Sequence, residues 1–433
     1  MARKFAFGGR FRAITSSRIL GDIFAMAGGA AGGQAVTFLF SPLITRIYDP
    51  ATFGLQGVFL ALVSVLAPLI ALRLPMAMVI AKNERMAENL ASLSLAVSLL
   101  IAGALCAVLA LVPSGFIKWA GADQLGNLIW FLPLALLCTA LQDVATLRAS
   151  RRRQFRIIGR ITISQAIFTN FVRVVGGIFA PVGGILVAVT TFAPALQAAL
   201  LTRQSPSLTQ SKPVMRPKLA FLLLKRFKDF PLYRMPNDVL NSASQSVPVI
   251  MLGALYGPAV AGLYVLTRSV LNLPANVIGT ASGNVLYVKF AESGRGAGTL
   301  ISAFKKSTLV LLSFSPAIIG AAWFSPTIFA FFFGEEWREA GAYAQWMSIW
   351  IAMMIANIPS AKVAAVIGRQ GLAMTFNIGL FIFRVFSVWV VWYLSGSALM
   401  AIASYSICSA IMIALNIVTF FYVTKKFDRK LNV

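Results

Sequence analysis

Histidine is absent from the 433 residues, and cysteine occurs only three times. Without histidine there is no imidazole proton shuttle, no His metal ligand and no Ser-His or Cys-His nucleophile. Cys106, Cys138 and Cys408 each lie inside an apolar run. They read as small hydrophobes, with neither a disulfide framework nor a CxxC metal spacing. Acids are also scarce, 13 Asp and Glu against 38 Lys and Arg, and all charged residues together make up only 12% of the chain. No GxxxxGK[ST] run occurs, which excludes a pump driven through a P-loop. No cofactor or metal is expected.

What the sequence has in abundance is apolar surface. Hydrophobic residues are 58% of the chain, against about 45–50% in a soluble domain, where about 25% are charged. Apolar runs at 21–44, 53–81, 88–112, 127–147, 161–179, 181–202, 238–256, 260–288, 307–333, 342–366, 372–394 and 398–423 predict twelve spanning helices. At about 20 residues per span they consume most of the chain and leave no room for a soluble domain. The fold class is therefore all-α, a polytopic membrane protein. The basic N-terminal tail precedes an apolar stretch from Gly21 to Ile44, too long for a cleaved signal, so it is read as a retained first helix. Pro68, Pro75, Pro133, Pro194, Pro274, Pro316 and Pro359 fall within spans, where freed carbonyls need other partners, as is common in transporters.

Charge fixes the orientation. With the N-terminus inside, 30 of the 38 basic residues fall on inside segments, and only Arg46, Lys118 and Arg338 fall outside. Cationic loops stay cytoplasmic, so both termini are expected in the cytoplasm of a bacterial inner-membrane protein. The net charge of +25 follows from the same asymmetry. It points to anionic lipid headgroups as partners rather than to nucleic acid.

A short repeat is visible. Asp49-Pro-Ala-Thr-Phe-Gly-Leu-Gln56 opens the second span and Gly257-Pro-Ala-Val-Ala-Gly-Leu-Tyr264 the eighth, 208 residues later. The same offset pairs Ala67 with Ala275 and Glu84 with Glu292. A duplication of six helices starts both halves on one side of the membrane, giving parallel repeats. The expected division is an N-terminal six-helix bundle over 1–202, a cytoplasmic linker loop over 203–237, and a C-terminal six-helix bundle with its tail over 238–433.

The stretch Gly33-Gln-Ala-Val-Thr-Phe-Leu-Phe-Ser-Pro-Leu-Ile-Thr-Arg-Ile-Tyr-Asp-Pro-Ala-Thr-Phe-Gly54 resembles the first-helix and first-loop signature of the Wzx-type polysaccharide flippases. Leu72-Arg-Leu-Pro-Met-Ala-Met-Val-Ile-Ala-Lys82 is similar to the end of their second helix, and Phe333-Gly-Glu-Glu-Trp-Arg-Glu-Ala-Gly341 to their loop before the tenth. The resemblance places the chain in the multidrug/oligosaccharidyl-lipid/polysaccharide superfamily. It implies two six-helix bundles around a central cavity that opens alternately to either face. The implied cargo is a polyprenyl-pyrophosphate-linked oligosaccharide for O-antigen, capsule or exopolysaccharide synthesis, with a polysaccharide polymerase and a chain-length regulator as partners. Flipping makes and breaks no covalent bond, so no catalytic residue carries over and no enzyme is expected.

Five cations lie within spans: Arg73, Arg173, Arg268, Lys362 and Arg384. Each costs at least about 2.5–3.5 kcal/mol if it faces lipid at mid-span. Lys362 is near a cytoplasmic end and can snorkel. Arg173 and Arg384 are deeper, with no acid expected at matching depth, and are assigned to a pyrophosphate site in the cavity, because a guanidinium donates paired hydrogen bonds to phosphate. Arg73 and Arg268 are assigned to its entrance and exit.

Among the acids, Asp22 and Asp238 are expected as helix caps or first-turn dipole partners. Asp143 is expected to pair with the Arg148–Arg153 cluster, and it is also the first candidate for ion coupling, since partial burial raises a carboxyl pKa. Gly28, Gly29, Gly32 and Gly33 predict close helix packing. Trp119, Trp130, Trp337, Trp392 and Tyr393 predict an interfacial aromatic belt.

The competing function is an ion-coupled drug or organic-cation efflux antiporter of the same superfamily. It would favour a neutral or acidic cavity, whereas pyrophosphate favours the basic one found here. A membrane-embedded glycosyltransferase or polymerase calls for a sizeable outer loop with catalytic acids, and the outer loops are all short.

Overall fold

The structure, a computed structural model, describes residues 17–111, 123–204, 217–293 and 299–431, with side chains described only from Met26 onward in the first segment. Asp22 and Trp119 therefore lie outside the described side chains. No strand occurs among the described residues. The N-half runs α1 (Ser17–Ile47), α2 (Pro50–Ile70), α3 (Leu74–Ile80), α4 (Glu84–Leu111), α5 (Phe131–Arg151), α6 (Phe155–Phe179) and α7 (Gly183–Gln204). A short helix, α8 (Pro217–Arg226), then leads to the C-half. That half is built from α9 (Met235–Tyr256), α10 (Pro258–Ser293), α11 (Thr299–Leu312), α12 (Ser315–Trp323), α13 (Ser325–Phe333), α14 (Arg338–Ala356), α15 (Ile358–Val366), α16 (Gln370–Ser395) and α17 (Ala398–Leu431). Nine of the described helical segments are long and apolar enough to cross a membrane. The other three expected spans correspond to α1, α9 and α10.

Proline explains where spans stay whole and where they break. Pro42, Pro68, Pro194, Pro248 and Pro274 sit inside continuous helices. Pro75, Pro316, Pro326 and Pro359 sit in the first turn of α3, α12, α13 and α15, where a missing N–H costs nothing. The runs expected as single helices at 53–81, 307–333 and 342–366 are each divided there. The linker expected as a loop contains α8 and a π-helical turn, Phe230–Arg234, that feeds directly into α9.

Close helix approach follows the small residues. A Cβ on Gly29 would fall on the Gly159 backbone, and one on Gly33 would touch Thr162 and Ala166, so α1 lies tightly along α6 as its glycine spacing predicts. The N-half presents α2 to α9 and α10 of the C-half. The largest apolar core lies in the C-half around α10, α14 and α17, with Tyr264, Phe290, Phe304, Tyr343 and Phe420 fully buried.

Candidate functional site

One end of the bundle collects the basic residues that close α5, open α6 and lead into α9, and here acids meet them. Arg148 reaches Glu88 at 2.5 Å, and Arg151 and Arg152 reach Glu84 at 2.9 and 3.6 Å. Both acids lie on α4, so these pairs bind α5 to α4. This corrects the partner expected for Asp143. Its carboxylate stands 3.7 Å from Arg73 instead, while Arg148, Arg151 and Arg152 pair with the acids of α4.

Arg73 is the in-span cation that meets two acids. It follows α2 at a break where Leu72 and Arg73 both take left-handed backbone angles, φ 50° and 55°. That region is sparsely populated for side-chain-bearing residues. The break aims the guanidinium across the interface, where its Nε lies 2.8 Å from the Oδ2 of Asp238 on α9. Arg234, one turn earlier in the segment that feeds α9, stands 3.3 Å from the same oxygen. Asp238 sits in the first turn of α9, as expected, but its charge is answered by two arginines and it makes no cap. Beside Arg73 a cavity of about 150 Å³ is lined by Ala67, Ala71, Met76, Asp143 and Thr146.

Arg173 lies within the N-half among neutral groups. Its Nη1 donates to Asn170 Oδ1 at 3.3 Å and its Nη2 to Thr190 Oγ1 at 3.5 Å, while its buried Nε has no hydrogen-bond partner. Gln56 donates to the same Thr190 hydroxyl at 2.9 Å, and Asn170 to Thr37 at 3.2 Å. Helices α1, α2, α6 and α7 thus converge on one acid-free polar patch. No carboxylate pairs with Arg173 among the described residues.

Arg384 lies in the C-half and is not brought to Arg173. It is buried on α16, its guanidinium carbon 4.8 Å from the Trp350 ring and 5.0 Å from the Tyr405 ring, and its Nε donates to Ser409 at 2.8 Å. Two aromatic faces offset much of the desolvation of this charge, each contributing up to about 2 kcal/mol when dry. Arg268 donates to the Gln245 carbonyl at 2.6 Å, tying α10 to α9. The end of the Lys362 side chain, Cε and Nζ, lies beside Gly283.

The opposite end is closed by an indole between the two halves. Trp337, expected in the aromatic belt, is fully buried; its Nε1 donates to the Thr45 carbonyl at 2.9 Å, and its ring meets Phe53 edge-on at 5.5 Å. A tryptophan at a helix end looks the same in sequence whether it faces lipid or another bundle. Trp130, Trp392 and Tyr393 are exposed, as a belt requires. Next to Trp337, a Cβ on Gly54 would fall on the Pro258 carbonyl oxygen, and one on Gly262 on that of Pro50. These four residues are the two copies of the repeat, in contact with each other.

The fold is similar to that of several solved transporters. An inward-facing multidrug resistance MATE family transporter superposes with a TM-score of 0.61 at 12% identity, covering 95% of this chain and 98% of its own. The lipid II flippase MurJ, in an inward closed conformation, gives 0.69 at 13% identity over 94% and 89%. A MOP transporter from Pyrococcus furiosus, described by the reverse polarity of its binding pocket, gives 0.57 at 12% over 95% and 96%. At these identities the likeness concerns the fold. No curated protein sequence matches the chain. The family model of polysaccharide biosynthesis proteins matches residues 43–342, and the chain belongs to that family.

Proposed function

We propose that the protein is a flippase that carries a polyprenyl-pyrophosphate-linked oligosaccharide from the cytoplasmic to the outer leaflet of a bacterial inner membrane, by alternating access of its two halves. The observation that carries this is Arg173: a cation inside a span, held by neutral groups, with a buried nitrogen still unpaired. Such a charge is costly in a membrane interior unless an anion visits it. Arg384 adds a second fixed charge from the C-half, and Arg73 and Arg268 serve entrance and exit. An organic-cation exporter would reverse this polarity. The basic end is taken as cytoplasmic, since that is where cationic loops are retained. Transport draws on an ion gradient, with Asp143 as the coupling carboxylate.

The test is export in cells lacking their own flippase. Arg173→Ala and Arg384→Ala should each abolish surface polysaccharide at normal protein levels, and each Lys variant should retain part of it. Normal export by both Ala variants removes the anion site and the proposed cargo with it. The orientation is tested in a cysteine-free background. An impermeant thiol reagent on intact cells should label Ser395→Cys and spare Ser150→Cys; the reverse pattern inverts the topology.

A further inference from the structure

The pairing of Arg73 with Asp238 has the form of a site whose ligand place is held by the protein itself. Two residues accept left-handed backbone angles to aim Arg73 across the interface, so the guanidinium is held there by the fold and not by a chance rotamer. Yet the contact it makes is imperfect. Arg73 Nε and Asp238 Oδ2 approach to 2.8 Å and are both buried, but neither gains an aligned hydrogen bond. An aligned carboxylate or phosphate would satisfy the guanidinium better, since its planar fork favours two parallel bonds. Asp238 also has a second cation to fall back on, Arg234 at 3.3 Å in the turn that leads into its helix, so it can leave Arg73 without being stranded as an unpaired charge. Beside Arg73 the cavity of about 150 Å³ has the volume of roughly five waters, enough for a phosphate-sized anion. The acid facing that cavity is Asp143, whose carboxylate is 3.7 Å from the same guanidinium.

We propose that Arg73 is a docking site for a diphosphate at the basic end of the bundle, and that Asp238 stands in for the anion until it arrives. A diphosphate that takes Arg73 from Asp238 also removes the ionic contact between the α2–α3 break and α9, and so weakens the closure of the two halves at that end. Loading and opening are then one event. The inference rests on the proposed diphosphate-linked cargo for its ligand, but its geometry belongs to this site alone.

The experiment uses purified full-length protein and inorganic pyrophosphate, with binding followed by calorimetry. Asp238→Asn keeps the side-chain shape and removes the competing charge, so it should bind pyrophosphate about tenfold more tightly than wild type. Asp143→Asn should tighten binding by less. Arg73→Ala should lose it, and Arg73→Lys, should the Ala variant not fold, should weaken it. In parallel, spin labels on cysteines replacing Val79 and Leu240, both exposed and on α3 and α9, should move apart on adding pyrophosphate to wild type, and stand apart without it in Asp238→Asn. Equal affinity in Asp238→Asn and wild type, binding that survives in Arg73→Ala, or labels that separate only in nanodiscs of phosphatidylglycerol and not with pyrophosphate would each overturn the site while leaving the proposed cargo standing. A full pyrophosphate response combined with normal export by Arg173→Ala and Arg384→Ala would do the reverse.

Discussion

At the end remote from the basic clusters the two halves meet backbone to backbone, Gly54 against Pro258 and Gly262 against Pro50, with Trp337 sealing the joint over Thr45 and Phe53. At the basic end the ionic contact between them is Arg73 with Asp238, beside an apolar cluster in which Leu223 and Phe227, leading into α9, pack with Leu74, Met78 and Leu90. The first contact is duplicated, since each half supplies the same proline and glycine 208 residues apart. The second is not: the positions 208 residues from Arg73 and Asp238 are Ala281 and Ala30. A symmetric apolar joint depends on shape and gives an anion nothing to compete for. A single ion pair can be exchanged for another anion. On the proposed function, closure by packing belongs to one end and release by ligand to the other.

The largest effect should come from breaking the packed joint. Gly54→Val places a branched side chain where the Pro258 carbonyl already sits, and no rotamer avoids the backbone. Export should be abolished. Thr45→Cys, buried in the wild-type closure, should become reactive to an impermeant thiol reagent on intact cells. Gly262→Val should reproduce both results, because the contact is reciprocal. Unchanged labelling with normal export would show that this end does not gate.

The next effect concerns the seal. Trp337→Ala removes a fully buried indole from between the halves, a class of change that costs about 3–5 kcal/mol. Trp337→Phe keeps most of the packing and forfeits the bond to Thr45, about 1 kcal/mol. Thermal unfolding in detergent should rank them in that order. A belt tryptophan would tolerate both, so equal melting temperatures would return Trp337 to the membrane interface.

Much of this is legible in the sequence. Apolar runs give the helices because a bilayer demands length and hydrophobicity together. Gly54 and Gly262 were visible as a repeat, although not as the place where the repeats touch. The break after α2 had its signal in Pro75, yet the left-handed turn at Leu72 and Arg73 did not, because it serves a partner 165 residues away. Asp143 was paired with its neighbours in sequence, and the fold had already committed those arginines to Glu84 and Glu88 on α4. The Arg384 clamp needs Trp350, Tyr405 and Ser409 from two other helices, and no hydropathy window spans them. Helices follow from local composition. The site follows from which side chains meet, and in a helical bundle those come from distant parts of the chain.

The smallest effect tests whether ionic contacts matter by location or merely by being present. Arg338 pairs with Glu335 at 2.5 Å near the packed joint, which on distance alone is as close as any pair at the basic end. Both partners are exposed, they lie three residues apart on the same turn, and they join nothing across the interface. Solvent screening and side-chain entropy cancel most of what such a pair contributes. Arg338→Ala should therefore leave melting temperature and export unchanged, and added salt should not distinguish it from wild type. Arg148→Ala removes a pair of the same length from Glu88, a carboxylate that is only 6% exposed, and so should lower the melting temperature measurably. If the two variants behave alike, then burial does not separate the two ends, and the ionic contact of Arg73 with Asp238 loses its claim to be more than surface charge.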